Sequence, residues 1–363
     1  MTHHPKSLIG LDGVAAAETR LSHIDGERGV LVIAGEAVER LALEAGFEEV
    51  AARLWSLADA QQRDATSVGA ALATARLRAF DRLPAMLAVT EGMPIVAAFR
   101  AAVAALQPDP DLPPEAAIVG AMPVIAAALV RARQGEQPVA PSADLPHAAD
   151  TLRMIRGVAP SDAEAKALDT YLVTVSDHSM NASTFAARVV ASTGAGLFMA
   201  VTAGYCALTG PLHGGAPEPV LEMLDAIGRR ENIAPWIDAA LVRGERLMGF
   251  GHRVYRVRDP RADVLKHAVG LLGRSEAELG LAAEVEAYAR QALARAKPDR
   301  ALDTNVEFYT AILLDALGIP RQAFTPIFAA ARAAGWTAHA LEQQKNGRLL
   351  RPAAAYVGTM PAG

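Results

Sequence analysis

Gly210-Pro211-Leu212-His213-Gly214-Gly215-Ala216 sets one imidazole on a glycine hinge, directly before a helix start at Pro217-Glu218-Pro219. Proline in a first helical turn forfeits no hydrogen bond, so these prolines read as a beginning and not a break. A histidine between glycines has room around it, and the N–H dipoles of the helix that follows aim toward it. The device recurs downstream as Gly249-Phe250-Gly251-His252-Arg253-Val254-Tyr255. Two glycine-framed histidines point to a site that works on oxygen or carbon acids, not to packing.

Upstream of the hinge, Val189 to Pro217 contains no Asp, Glu, Lys or Arg. Length alone would let that run cross a membrane. Gly194, Gly196, Gly204, Gly210 and Pro211 interrupt it, so it reads as a helix buried in the protein or at a subunit interface. The single cysteine, Cys206, lies inside it and reads as a small buried hydrophobe. One cysteine permits no disulfide framework or cysteine metal quartet within the chain.

Further out, the chain is alanine-rich and most segments carry a helical period, as at 114–134, 145–156 and 162–176. Residues 107–114 and 134–144 read as loops. Strand signals are confined to the start, where Glu18 to Ile33 reads as a hairpin punctuated by Asp25-Gly26 and Gly29. His178 precedes a helix whose apolar face is Ala182, Phe185, Ala186, Val189 and Val190. Asp259-Pro260 has the cap pattern of a helix through Leu265, Ala268, Leu271 and Leu272. Thr304 opens another, closed by Gly318-Ile319-Pro320; Arg332 sits on the next, Gly347 ends it, and Arg351-Pro352 begins a tail. There is no internal repeat. The expected fold is all-α with a small N-terminal β-hairpin.

The 363 residues suit two domains, and 52% hydrophobic content lets them bury large cores. A net charge of −5 carries no nucleic-acid footprint, so local basic groups act on small anions. Met1 to Lys6 has no apolar run of the signal-peptide kind, and the expected location is the cytoplasm.

Several residues could carry chemistry. His213, held near a helix N-terminus, resists protonation and could donate a neutral N–H to a developing enolate oxygen. His252 stands among Arg253, Arg256, Arg258 and Arg261, either a solvated turn or a cradle for carboxylates and phosphates. His178, in Asp177-His178-Ser179-Met180-Asn181-Ala182-Ser183, either joins a site or lies in a simple capping segment. Glu307 fits a capping box with Thr304, and equally an ionised general base stabilised at a helix N-terminus. Arg332 is a carboxylate clamp only if it faces a cleft.

Taken together, Asp177 to Phe185, Gly210 to Ala216, Gly249 to Tyr255, Asp259-Pro260-Arg261-Ala262 and Asn305-Val306-Glu307-Phe308-Tyr309 closely resemble the citrate synthase family. Weaker similarity runs from Gly10-Leu11-Asp12-Gly13-Val14 to Arg351-Pro352. The resemblance implies a two-domain helical homodimer, with a large domain of residues 1–216 and 322–363 and a small CoA-binding domain of residues 217–321. It implies condensation of acetyl-CoA with oxaloacetate and hydrolysis of citryl-CoA, with no metal or redox cofactor. By motif, His213 would stabilise the enol, His252 would polarise the oxaloacetate carbonyl, and Glu307 would remove the α-proton. His178, Arg261 and Arg332 would bind substrate carboxylates, with Arg351 reaching in from the partner subunit, and Arg253 and Arg256 would serve CoA. The family's base is usually aspartate, and here it is glutamate. The alternatives are a 2-methylcitrate synthase acting on propionyl-CoA and a catalytically weak paralogue that binds CoA or a carboxylate.

Overall fold

The computed structural model describes residues 11, 13–213, 217–273 and 276–361. Three short strands lead the chain: β1 (Ser22–Asp25), β2 (Val30–Ile33) and β3 (Glu36–Ala37). Helices follow to the tail: α1 (Val38–Glu44), α2 (Phe47–Asp59), α3 (Ala65–Thr90), α4 (Ile95–Ala104), α5 (Pro114–Arg133), α6 (His147–Arg156), α7 (Asp162–Val175) and α8 (Ala182–Ser192). Then come α9 (Leu197–Leu208), α10 (Glu218–Ile227), α11 (Ile233–Val242), α12 (Pro260–Leu271), α13 (Glu276–Ala296), α14 (Val306–Ala316) and α15 (Phe324–Asn346).

Two helices organise the interior. Against α5 pack α3, α4, α6, α9 and α15, while α15 also lies on α2, α7 and α8. Among the described residues α5 is the one helix long and apolar enough to cross a membrane, and it is buried along most of its length inside the protein. The uncharged run from Val189 is instead divided between the end of α8 and α9, because Gly194 and Gly196 sit at φ of 82° and 84°. Gly214, Gly215 and Ala216 of the hinge, and with them the expected boundary at 216, lie outside the described residues.

The expected hairpin forms, in the register Ser22–Ile33 to Asp25–Val30, and gains a third strand through Val32–Ala37 and Ile33–Glu36. Its tip reaches the loop that carries His252: the Arg256 N–H donates to the Gly26 carbonyl at 2.9 Å. A Cβ on Gly26 would collide with the Val254 carbonyl, so only glycine lets the two backbones meet. Gly26→Ala is therefore expected to cost about 1–3 kcal/mol, the usual range for overpacking. Thermal unfolding checks this; an unchanged midpoint contradicts the contact.

Helix α8 turns a different face inward than its apolar stripe suggests. Ser183, Thr184, Ala187, Arg188 and Ala191 are buried, while Ala182, Phe185, Ala186, Val189 and Val190 are exposed or half-buried. The reason is Arg188. Its guanidinium donates to Gln343 Oε1 at 3.0 Å and Glu342 Oε2 at 2.6 Å, and meets His339 Nδ1 at 2.9 Å, all on α15. A buried cation paired with Glu342 directs the helix, since leaving it unpaired would cost about 3–5 kcal/mol. Cys206 also departs from expectation: on α9 it faces outward and is exposed. Leu271, near the end of α12, is likewise exposed.

Candidate active site

A cavity of about 740 Å³ gathers residues from both halves of the chain. His178, His213, His252, Arg253, Arg256, Arg261, Glu307 and Arg332 all line it, with the His178 and His252 rings edge to face at 5.6 Å. Arg351 is the exception. It is exposed on the extended tail and is not among the cavity's lining residues.

The His178 turn is built on a buried carboxylate. Asp177 accepts from Ser22 Oγ of β1 and from the Ser179 N–H at 3.2 Å, and it meets His339 Nε2 at 3.2 Å. Burial pushes the Asp177 carboxyl up, but His339, Ser22 and Arg332 outweigh it and hold it below its ordinary value. These anchors support Ser179 at φ 48° and set the buried His178 ring, whose Nε2 lies 3.2 Å from the Tyr255 hydroxyl. Burial, with the charges of Arg261 and Arg332, keeps His178 well below its ordinary pKa and hence neutral.

Helix α8 sets the tautomer of His213. The Ser183 N–H, in the first turn of α8, points at His213 Nε2 at 3.2 Å, and Ser183 Oγ lies 2.9 Å from the same nitrogen. A backbone N–H can only donate, so Nε2 is the acceptor and Nδ1 carries the proton. Asn181 caps α8, accepting from the N–H groups of Ser183 and Thr184 at 3.1 and 3.0 Å. Burial, with Arg332 and Arg253, pushes His213 down to about 4. At neutral pH it is an uncharged N–H donor facing the cavity.

His252 shows the same logic with its nitrogens exchanged. Nδ1 accepts from the N–H groups of Val254 and Tyr255 at 3.0 and 3.2 Å, which leaves the proton on Nε2. Burial and Arg261 push it down to about 4, against a weaker pull from Asp259. The loop turns on Gly249, at φ 82°, where a Cβ would strike Phe308. It is stitched to the strand-like segment ahead of α14 by the Phe250–Thr304 bridge and by the Gly251 N–H donating to the Asp303 carbonyl at 2.7 Å.

The arginines differ in how they are held. Asp259 caps α12, as its Asp-Pro pair suggests, and also receives the Arg261 guanidinium twice, at 3.0 and 2.7 Å. Arg332 donates Nε to the Val175 carbonyl at 2.6 Å and lies over the Phe328 ring. Burial lowers Arg332 to about 10, which still leaves a cation. Both are buried, so a carboxylate reaching them would meet little competition from bulk water. Arg253 and Arg256 are exposed on the rim.

Glu307 is not part of a capping box. Asn305 caps α14 by accepting the Glu307 N–H at 3.0 Å, and Thr304 instead donates its hydroxyl to Glu286 at 2.8 Å. That frees the Glu307 carboxyl for the cavity. Nor is it held ionised by the helix: burial pushes it up to about 7, only partly opposed by Arg246 and Arg261. Desolvation outweighs the helix terminus here. The result is a carboxylate whose basicity matches neutral pH.

Sequence reading missed Arg246, Lys297 and Arg300, three further cations on the cavity rim. Arg246 stands just ahead of the Gly249 motif and could have been drawn into it. Lys297 and Arg300 follow the end of α13, and no local spacing links them to the histidines. Among the described residues, no group of three or more His, Cys, Asp or Glu side chains is placed to hold a metal ion.

The chain is similar to known proteins along nearly its whole length. The profile described as "Citrate synthase, C-terminal domain" matches residues 10–353. A citrate synthase of Haloferax volcanii is 38% identical over 96% of this chain and 95% of its own. The putative citrate synthase 2 of Mycobacterium tuberculosis is 48% identical over 56% of this chain and 54% of its own. The Thermotoga maritima citrate synthase structure superposes with a TM-score of 0.83 at 30% identity, covering 98% of this chain and 97% of that one. A Thermoplasma acidophilum citrate synthase, solved as a ternary complex with carboxymethyl coenzyme A and oxaloacetate, gives 0.84 at 28% identity, covering the same shares. With the profile spanning nearly the whole chain and relatives above 30% identity along their full length, the chain belongs to the citrate synthase family.

Proposed function

We propose that the cavity condenses acetyl-CoA with oxaloacetate and hydrolyses the resulting citryl-CoA. The observation that carries this reading is a neutral His213 and a near-neutral-pKa Glu307 lining one cavity. A thioester α-proton is a weak acid, and a carboxylate removes it only if the forming enolate oxygen is stabilised at the same moment. Glu307 takes the methyl proton while Nδ1–H of His213 donates to the thioester oxygen. The new carbon nucleophile attacks the ketone carbon of oxaloacetate, whose oxygen receives a hydrogen bond and then a proton from Nε2 of His252. Water then adds to the thioester carbonyl and CoA leaves as the thiol.

His178, Arg261 and Arg332 hold the carboxylates of oxaloacetate, and Arg351 completes that set from a second copy of the chain. The outward stripe of α8 and α9, with Phe185, Val189, Met199 and Cys206, offers the apolar surface for such a dimer. Arg253 and Arg256, joined by Arg246, Lys297 and Arg300, suit the phosphates of CoA. We assign residues 1–216 and 322–363 to a large domain and 217–321 to a small one that closes over the substrates. Helix α12 packs on both α14 and α7, which makes it the natural pivot.

The test is release of free thiol from acetyl-CoA by the purified protein. Release that requires oxaloacetate, with kcat/KM higher for acetyl-CoA than for propionyl-CoA, is expected; no release at any pH sinks the proposal. The pH profile follows from the charges. Glu307 must be deprotonated to act, so kcat/KM for acetyl-CoA is expected to rise with pH through about 7. His213 and His252, at about 4, stay neutral throughout that range and add no descending limb. A profile flat from pH 5 to 9 contradicts the assignment of Glu307.

A further inference from the structure

We infer that Asn305 is a positioning residue that registers His252 against Glu307. The inference rests on the roles proposed above for those two groups. Asn305 is nearly buried at the head of α14 and uses both ends of one planar amide. Its Oδ1 accepts the Glu307 N–H at 3.0 Å, and its Nδ2 donates to the Gly251 carbonyl at 2.8 Å. Its own N–H donates to the Gly249 carbonyl at 2.9 Å. Gly251 is the residue immediately before His252. A single rigid group therefore joins the peptide that carries the base to the peptide that carries the ketone's hydrogen-bond donor.

Capping needs only the oxygen. Serine, aspartate and asparagine cap helices about equally well, so the Nδ2 bond is surplus to the helix. Of these three, asparagine alone supplies an acceptor to α14 and an amide donor to Gly251 together. The surplus bond has a chemical use. The methyl carbon that loses its proton to Glu307 must next meet the ketone carbon beneath His252. Reacting atoms need to lie about 3–3.5 Å apart, and an error of about 1 Å can cost roughly a hundredfold in rate. Proton removal depends on Glu307 and His213; carbon–carbon bond formation depends also on where His252 stands. Loosening the Asn305–Gly251 link should therefore harm the second step more than the first.

The experiment compares two rates in Asn305→Ser, which keeps a neutral cap and removes Nδ2. One is exchange of acetyl-CoA methyl protons with D2O while a 2-hydroxydicarboxylate without a ketone fills the oxaloacetate site. The other is kcat for condensation with oxaloacetate. We expect exchange to fall no more than about threefold and condensation to fall tenfold or more, between the intact value and the roughly hundredfold cost of a full misplacement. Equal losses in both rates, or no loss in either, overturn the inference. Should Asn305→Ser not fold, Asn305→Asp at pH 9 carries the same comparison, because it caps α14 but turns an acceptor toward Gly251. Failure of the underlying reading is distinct: the unaltered protein would then release no thiol at all.

Discussion

Glu307→Gln is expected to lower kcat by about three orders of magnitude, within the range of 10²–10⁴ that a positioned base supplies. Glutamine preserves the shape of the side chain and its place after Asn305, so the fold and oxaloacetate binding should persist. What disappears is a carboxylate whose basicity has been raised to about 7 by burial. The pH dependence should vanish with it. Glu307→Asp is informative in the other direction. Shortening the side chain withdraws the carboxylate by roughly an ångström, a displacement that can cost about a hundredfold. A site formed around glutamate should therefore lose activity on the change to aspartate, although aspartate is the family's usual base. A gain in activity would mean that this cavity is a weak catalyst waiting for the shorter acid. Steady-state kinetics on the two variants separate these outcomes.

His213→Ala is the second large effect, about 10²–10³ in kcat, the loss seen when one oxyanion donor is removed. Its Nδ1–H is placed by the Ser183 N–H on the far side of the ring. The KM for oxaloacetate should change little, since its carboxylates are assigned above to Arg261, Arg332 and His178. A variant that lost oxaloacetate affinity while keeping kcat would move His213 from the thioester to the other substrate.

Much of this was legible from residue order. Asp259-Pro260, Gly318-Ile319-Pro320 and Gly347 mark helix ends through local chemistry, and each does so in the structure. The glycine-framed histidines were visible because a positive φ, as at Gly249 and Gly251, selects glycine on the chain itself. What escaped notice depends on distant partners. The inward face of α8 is chosen by Arg188 meeting α15, against its own apolar stripe. Glu307 looked like half of a capping box because Thr304 stands at the right distance; the bond from Thr304 to Glu286, eighteen residues before it, cannot be read from spacing. Nor does any pattern announce that α8, remote in sequence, supplies the N–H that sets the tautomer of His213. Burial raised Glu307 where the helix terminus alone would have lowered it, and burial is a property of the assembled cavity.

The central claim is that His213 and Glu307 act together to form the enol of acetyl-CoA. It is tested most directly by following deuterium uptake into the acetyl-CoA methyl group in D2O, with the oxaloacetate site filled by a 2-hydroxydicarboxylate. The prediction is measurable uptake by the unaltered protein, and loss of that uptake in both Glu307→Gln and His213→Ala. Undiminished uptake in either variant would contradict it.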